Sequence, residues 1–178
     1  MEHWRILAVS SVLAWTLAAC RDEVEASDGG ARGASFAPNL ERRLAEGGVR
    51  VVDGPTTVWH DDGWKLAEGE LRSGAKHGEW RSFDRNGTLR WRGTYRAGEL
   101  DGEERGWYAD GRLEFEGRRK LGLREGAWRS WYENGQVEWL AEYREGLRDG
   151  ECRHWSADGQ PDASASGRYR RGKKVAGL

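Results

Sequence analysis

Few side chains in this sequence are placed for catalysis or metal binding. His60, Asp61 and Asp62 are adjacent and could form a metal or acid–base cluster. The many aspartates and glutamates could also supply the carboxylate pair that glycoside hydrolysis requires. The sequence contains no phosphate-binding glycine motif, nucleophile elbow or metal-ligand spacing. These candidates must be weighed against the repeats described below, because catalytic residues usually break a repeat pattern.

A cysteine near the N-terminus indicates chemistry of another kind. Cys20 follows an apolar run over residues 6–17. A membrane-spanning helix needs about 20 apolar residues, so this shorter run is typical of a secretory signal. Residues 17–20 read Leu-Ala-Ala-Cys, which resembles the bacterial lipobox. That resemblance implies cleavage before Cys20 and acylation of its sulfur and amine, which would anchor the chain to a membrane.

The chain is therefore expected to have three parts. Residues 1–19 are predicted to be a lipoprotein signal peptide, residues 20–48 a flexible tether with a possible short helix, and residues 49–178 a folded domain. Lipoproteins kept at the inner membrane often carry Asp directly after the cysteine, whereas here Arg21 precedes Asp22. The sequence therefore favours a lipid-anchored protein of the bacterial cell envelope, at the outer rather than the inner membrane.

The composition favours an ordered domain without a nucleic-acid partner. The chain carries 29 basic and 30 acidic residues, whereas a nucleic-acid binder normally shows a basic excess. Its 11 tryptophans argue against disorder, because disordered chains are poor in aromatic residues. Its 26 glycines have no three-residue period and therefore indicate many repeated turns.

Five copies of a 24-residue pattern account for these glycines and aromatic residues. Asx-Gly pairs recur at residues 62–63, 86–87, 110–111, 134–135 and 158–159. An aromatic column at the same spacing consists of Trp59, Phe83, Trp107, Trp131 and Trp155. An arginine column consists of Arg81, Arg105, Arg129 and Arg153. The fifth copy fits this pattern only with a two-residue insertion before Gly167.

Each Asx-Gly pair lies between two strand-like runs, which is the strongest short-range signal for a β-hairpin. We expect type I′ turns at these pairs, with both central residues at positive φ. Glycine-containing segments such as residues 98–102 then join one hairpin to the next. The predicted fold is all-β: an elongated, twisted antiparallel meander of five stacked β-hairpin repeats of 24 residues.

The sizes of opposed residues test the strand register. A two-residue turn places a large ring opposite a small residue in most pairs, as directly opposed side chains require. The predicted pairs are Trp80 with Gly93, Ser82 with Trp91, Gly106 with Phe115, Trp128 with Ala141, and Ser130 with Trp139. A three-residue turn with a bulge is the alternative, and it would pair Phe83 with Leu89 and reverse the two faces.

The two-residue register also predicts which face is buried. That face carries Trp80, Trp91, Tyr95, Phe115, Trp128, Trp139 and Tyr143. Cys152 takes the position of Trp80 in the fifth copy, so we interpret it as a core residue and not as a nucleophile. His60 and Asp62 likewise occupy turn columns. We therefore predict no enzyme activity and no cofactor or metal site.

The repeat resembles a known family. Residues 93–102 read GTYRAGELDG and residues 107–111 read WYADG, a pattern similar to the MORN repeat and closest to the bacterial variant in proteins labelled as YwqK-type antitoxins. The resemblance covers about residues 54–174 and implies a long sheet of successive hairpins that serves as a scaffold or for protein contacts. Two residues depart from the pattern: Glu104 replaces the tryptophan, and Arg119 replaces the tyrosine.

The second face of the predicted sheet is the candidate binding surface. It carries Phe83, Trp107, Trp131 and Trp155 beside Arg81, Arg105, Arg129 and Arg153, and tryptophan and arginine dominate binding hot spots. The expected function is a non-catalytic, lipid-anchored scaffold for an unidentified envelope protein. The alternatives are a glycan- or peptidoglycan-binding module and an immunity or antitoxin-like protein. A purely structural role for the aromatic row is also open.

Overall fold

A computed structural model describes residues 53–178 of the chain, and its strands lie in one antiparallel sheet. The described strands are β1 (Gly54–Trp59), β2 (Lys65–Arg72), β3 (Ala75–Phe83), β4 (Leu89–Arg96), β5 (Glu99–Trp107), β6 (Leu113–Lys120), β7 (Leu123–Trp131), β8 (Val137–Arg144), β9 (Leu147–His154), β10 (Gly167–Arg170) and β11 (Lys173–Ala176). Strands adjacent in sequence are adjacent in the sheet, which confirms the predicted hairpin meander. The predicted signal peptide, tether and Cys20 lie outside the described residues.

The two ends of the sheet carry different turns, and type I′ turns occur where they were not predicted. The two-residue turns are Ser73-Gly74, Ala97-Gly98, Leu121-Gly122, Glu145-Gly146 and Arg171-Gly172. Both residues of each pair have positive φ, as a type I′ turn requires. These turns join one predicted hairpin to the next.

The Asx-Gly turns are longer, so the prediction of type I′ geometry there is wrong. In the second repeat, Gly87 N donates to Asp84 O at 3.0 Å and Asp84 N donates to Thr88 O at 2.9 Å. Gly87 has positive φ, whereas Asn86 does not, which describes a type I turn followed by a left-handed glycine. Asp84 Oδ1 also accepts hydrogen bonds from the backbone N–H groups of Asn86 and Thr88. This side-chain cap stabilises the longer loop.

The predicted register is nevertheless correct. All five large-against-small pairs are formed as expected. Phe83 also pairs with Leu89, as in the alternative register, but a bulge between Ser82 and Phe83 compensates for the odd loop length and keeps the faces unchanged. Tyr143 pairs with Gly126, and in the fifth copy Tyr169 pairs with Gly150. The residues of the second pair are separated by two more residues of chain than those of the first, which confirms the insertion.

The core is built from rings that lie against glycines of neighbouring strands. A Cβ added to Gly69 would lie 2.3 Å from the Trp80 ring, and one added to Gly117 would lie 2.2 Å from the Trp128 ring. Each indole N–H donates to a backbone carbonyl of the same neighbouring strand at 3.0 Å. Trp80 and Trp128 are each only 1% exposed. Glycine at these positions therefore provides the space in which the rings are buried.

Cationic side chains complete this core. Lys76 Nζ lies 5.2 Å from the Trp80 ring centroid and 4.8 Å from that of Tyr95. Arg124, at the equivalent position two repeats later, lies 4.6 Å from the Trp128 ring and 5.1 Å from the Tyr143 ring. A cation over an aromatic face is stabilised by the ring quadrupole, by about 2 kcal/mol where it is shielded from water. Nonpolar and charged groups therefore share one core.

The contact between Gly117 and Trp128 gives a first prediction. Gly117→Ala should lower the free energy of unfolding by about 1–3 kcal/mol, because the added methyl group must displace the ring. Urea unfolding of the full chain, followed by tryptophan fluorescence, would measure the change. Gly177→Ala is the control, because a Cβ at Gly177 meets no atom within 4 Å. Equal unfolding midpoints for the two variants would contradict this account of the core.

Candidate functional site

The aromatic column of the predicted binding surface lies at the strand ends beside the Asx-Gly turns. Phe83, Trp107 and Trp131 are the last residues of β3, β5 and β7, and all three are half-buried. Strand alternation places Phe83 on the same face as the exposed Arg81, opposite the buried Trp80. Trp155 is also half-buried and follows β9. The column therefore forms a row on the second face.

Side chains from each repeat hold the backbone of this row in the next repeat. Arg90 Nε donates to Trp107 O at 2.9 Å, and Tyr108 OH donates to Trp131 O at 2.6 Å. Tyr132 OH makes the equivalent contact with Trp155 O at 2.8 Å. These ties fix successive hairpins to one another at the same end of the sheet. The rings are consequently presented at regular intervals along a constrained backbone.

Tyr108 stays protonated in this arrangement. Burial, with a smaller contribution from the nearby carboxylates, Glu114 foremost, raises the pKa of Tyr108 to about 12. Burial also raises the pKa of Glu114, while the Arg90 guanidinium acts in the opposite direction. The phenol is therefore a hydrogen-bond donor at neutral pH, as its contact with Trp131 O requires.

The arginine column is paired with carboxylates and does not form a free cationic row. Arg81 Nε donates to Glu79 at 2.7 Å, and Arg105 lies 3.4 Å from Glu116. Arg129 lies 3.9 Å from the same glutamate, and Arg153 is bound to Glu151. Each exposed pair contributes little stability. The arginines of the column therefore lie beside opposite charges.

The residues considered above for metal binding or catalysis make contacts within the sheet and its turns. His60 stacks on Trp64 with ring centroids 4.7 Å apart, and its Nδ1 accepts a hydrogen bond from Asp62 N. Cys152 is 2% exposed, pairs with Gly167 and has its Sγ 3.4 Å from His154 Nε2. Within residues 53–178, no group of three or more His, Cys, Asp or Glu side chains could hold a metal ion.

The two departures from the repeat form one coupled replacement, which sequence reasoning noted separately. Arg119 Nε donates to Glu104 Oε2 at 2.5 Å across the β5–β6 pair, and Trp91 Nε1 donates to Glu104 Oε1 at 2.9 Å. Glu104 is 6% exposed. The equivalent positions in the neighbouring copies are the edge-to-face pairs Trp80–Tyr95 and Trp128–Tyr143. An ion pair therefore replaces an aromatic pair in the middle of the sheet.

A family model described as MORN repeat variant matches residues 76–97 and 124–144. These two segments hold the β3–β4 and β7–β8 hairpins that carry the Trp–Tyr pairs. No curated protein matches the chain. These two segments are thus similar to MORN repeats, which commonly act as modules for contact with proteins or membranes. Among residues 53–178, no helix has the length and apolarity needed to cross a membrane.

The Glu104–Arg119 pair gives a second prediction, in the form of a rescue. Arg119→Met should be destabilising because it leaves the Glu104 carboxylate buried without its cation. Adding Glu104→Gln should restore about 1–3 kcal/mol, because the amide oxygen still accepts from Trp91 and no buried charge remains. Urea unfolding of the single and double variants would measure the coupling. Arg118→Met, at an exposed neighbour, is the control. Additive effects would show that the two residues are not coupled.

Proposed function

We propose that this chain is a lipid-anchored protein of the bacterial envelope whose repeat sheet is a non-catalytic scaffold for protein–protein interaction. The observation that carries the proposal is the difference in side-chain contacts between the two faces of the sheet. The rings of one face pack against glycines, cations and other rings of the same sheet. The second face carries a row of half-buried aromatic rings next to paired arginines and glutamates.

Such a face suits contact with another protein. Half-buried tryptophans supply apolar area with little loss of side-chain entropy on binding, and fixed hairpins reduce the cost of ordering the surface. The paired arginines and glutamates can exchange partners at the rim of an interface without leaving a charge unpaired. The lipobox-like residues 17–20 support anchoring through Cys20, and Arg21 favours the outer membrane.

Photo-crosslinking in living cells would test the interaction surface. A photoreactive phenylalanine analogue at Trp131, or at the exposed Arg129, should yield a discrete adduct with an envelope protein. Thr57, an exposed residue of β1, is the control and should give no such adduct. Equal adducts at all three positions, or none at Trp131 and Arg129, would contradict the proposal. Adducts containing glycan instead of protein would favour the glycan-binding alternative over it.

The anchor is tested separately through the two cysteines. Cells fed a labelled fatty acid should incorporate it into the wild-type chain, and Cys20→Ser should lose the label and leave the membrane fraction. Cys152→Ser is the matched control and should keep the label, because Cys152 is buried in the sheet. A labelled Cys20→Ser variant would show that the lipid is attached elsewhere and would refute anchoring at this residue.

A further inference from the structure

The fold separates charges that are interleaved in the sequence. Antiparallel strands send alternate turns to opposite ends of the sheet. The end with the type I′ turns, here called the basic edge, comprises residues 72–75, 96–99, 120–123, 144–147 and 170–173. It carries seven basic and two acidic residues. The Asx-Gly turns, residues 60–64, 84–88, 108–112, 132–136 and 156–160, carry six acidic and two basic residues.

One cation precedes each turn of the basic edge. These residues are Arg72, Arg96, Lys120, Arg144 and Arg170, and all are exposed. Some have a carboxylate nearby, but at side-chain exposures of 74% for Arg96 and 72% for Arg144 such pairs are weak. Neighbouring strands lie about 4.8 Å apart, so the cations of successive repeats recur at intervals of about 10 Å. The edge therefore carries a row of exposed positive charges.

The same edge also exposes apolar side chains. Leu121, Leu123 and Leu147 are 63%, 50% and 47% exposed. Leu121 lies in a turn, and Leu123 and Leu147 are the first residues of the strands β7 and β9. An open groove of about 620 Å³ lies beside Leu121, and its lining also includes Arg96, Asp101, Arg118, Lys120, Glu125 and Ala127. Exposed leucines beside a groove mark an interaction site more often than scattered apolar residues do. Charge, apolar surface and concavity therefore coincide at one edge.

We propose that the basic edge docks an extended acidic segment of a partner protein, with an apolar side chain of that segment in the groove beside Leu121. A segment in the extended polyproline II conformation has three residues per turn and advances about 3.1 Å per residue, so carboxylates at every third residue would lie on one side and meet one cation per repeat. A single row of charges matches a linear polymer better than it matches a planar surface. This inference rests on the proposed scaffold function and adds a second contact, at the turns, to the one proposed for the aromatic face.

Fluorescence anisotropy with two labelled peptides of identical composition tests whether the spacing of the carboxylates matters. One peptide repeats Glu-Ser-Leu five times, so that it carries both the spaced carboxylates and apolar side chains, and the other places its five glutamates consecutively. The spaced peptide should bind the full-length protein about tenfold more tightly, and added salt should weaken binding. Equal affinity for the two peptides, or no measurable binding of the spaced one, would overturn the proposal.

Two triple variants test the location. Arg96→Gln/Lys120→Gln/Arg144→Gln should lose about tenfold or more in affinity for the spaced peptide. The matched control Arg81→Gln/Arg129→Gln/Arg153→Gln removes the same charge from the second face and should change affinity by less than about twofold. Equal losses would indicate non-specific attraction and overturn the assignment.

Two further outcomes would show that the basic edge binds something other than an acidic segment, and either would overturn the proposal. Binding to vesicles of phosphatidylglycerol without binding to the spaced peptide would indicate a lipid surface. Self-association of the protein that the edge variant abolishes would indicate a second copy, bound through its acidic turns. Crosslinks from Trp131 that persist in the edge variant would keep the scaffold proposal intact even if the acidic-segment proposal failed.

Discussion

The contact between a tryptophan ring and a glycine of the next strand is the interaction on which the sheet depends. Trp80 and Trp128 are buried because Gly69 and Gly117 lack the Cβ that would occupy their place. The two indole N–H groups donate to backbone carbonyls of the strands that the rings cover, so neither indole donor is left unpaired by burial. Lys76 and Arg124 then lie over the rings. The two repeats that carry these tryptophans thereby gain a core that is one side-chain layer thick.

A core of this kind determines what the remaining surfaces can do. The second face need not supply core contacts and can carry half-buried rings and paired charges. The turns need only reverse the chain, so their outward residues are available for other roles. This freedom explains how one end of the sheet can be basic and the other acidic although the chain has a formal net charge of only −1.

Much of the fold was predictable from the sequence because sizes and spacings constrain it strongly. The large-against-small rule fixed the face of Trp80 and Trp128 correctly. It did not reveal the turn types. The Asp84 side chain caps a longer loop, and the bulge at Phe83 offsets that extra length, so the register is the same as with a two-residue turn. The sequence also contained a signal, not used in the prediction, that the arginines of the column would be paired with carboxylates. Glu79 and Glu151 each lie two residues before an arginine of the column and therefore on its face.

The Glu104–Arg119 pair was visible only as two separate departures, because their contact spans the β5–β6 hairpin. Its consequence concerns the assembly of the sheet. Near-identical hairpins could associate in the wrong order, since their backbones and ring sizes are interchangeable. If β5 paired with β8 in place of β6, Glu104 would face Ala141 and the carboxylate would be buried without a counter-ion. A single charged copy among aromatic ones thus makes the order of strands energetically distinguishable during folding.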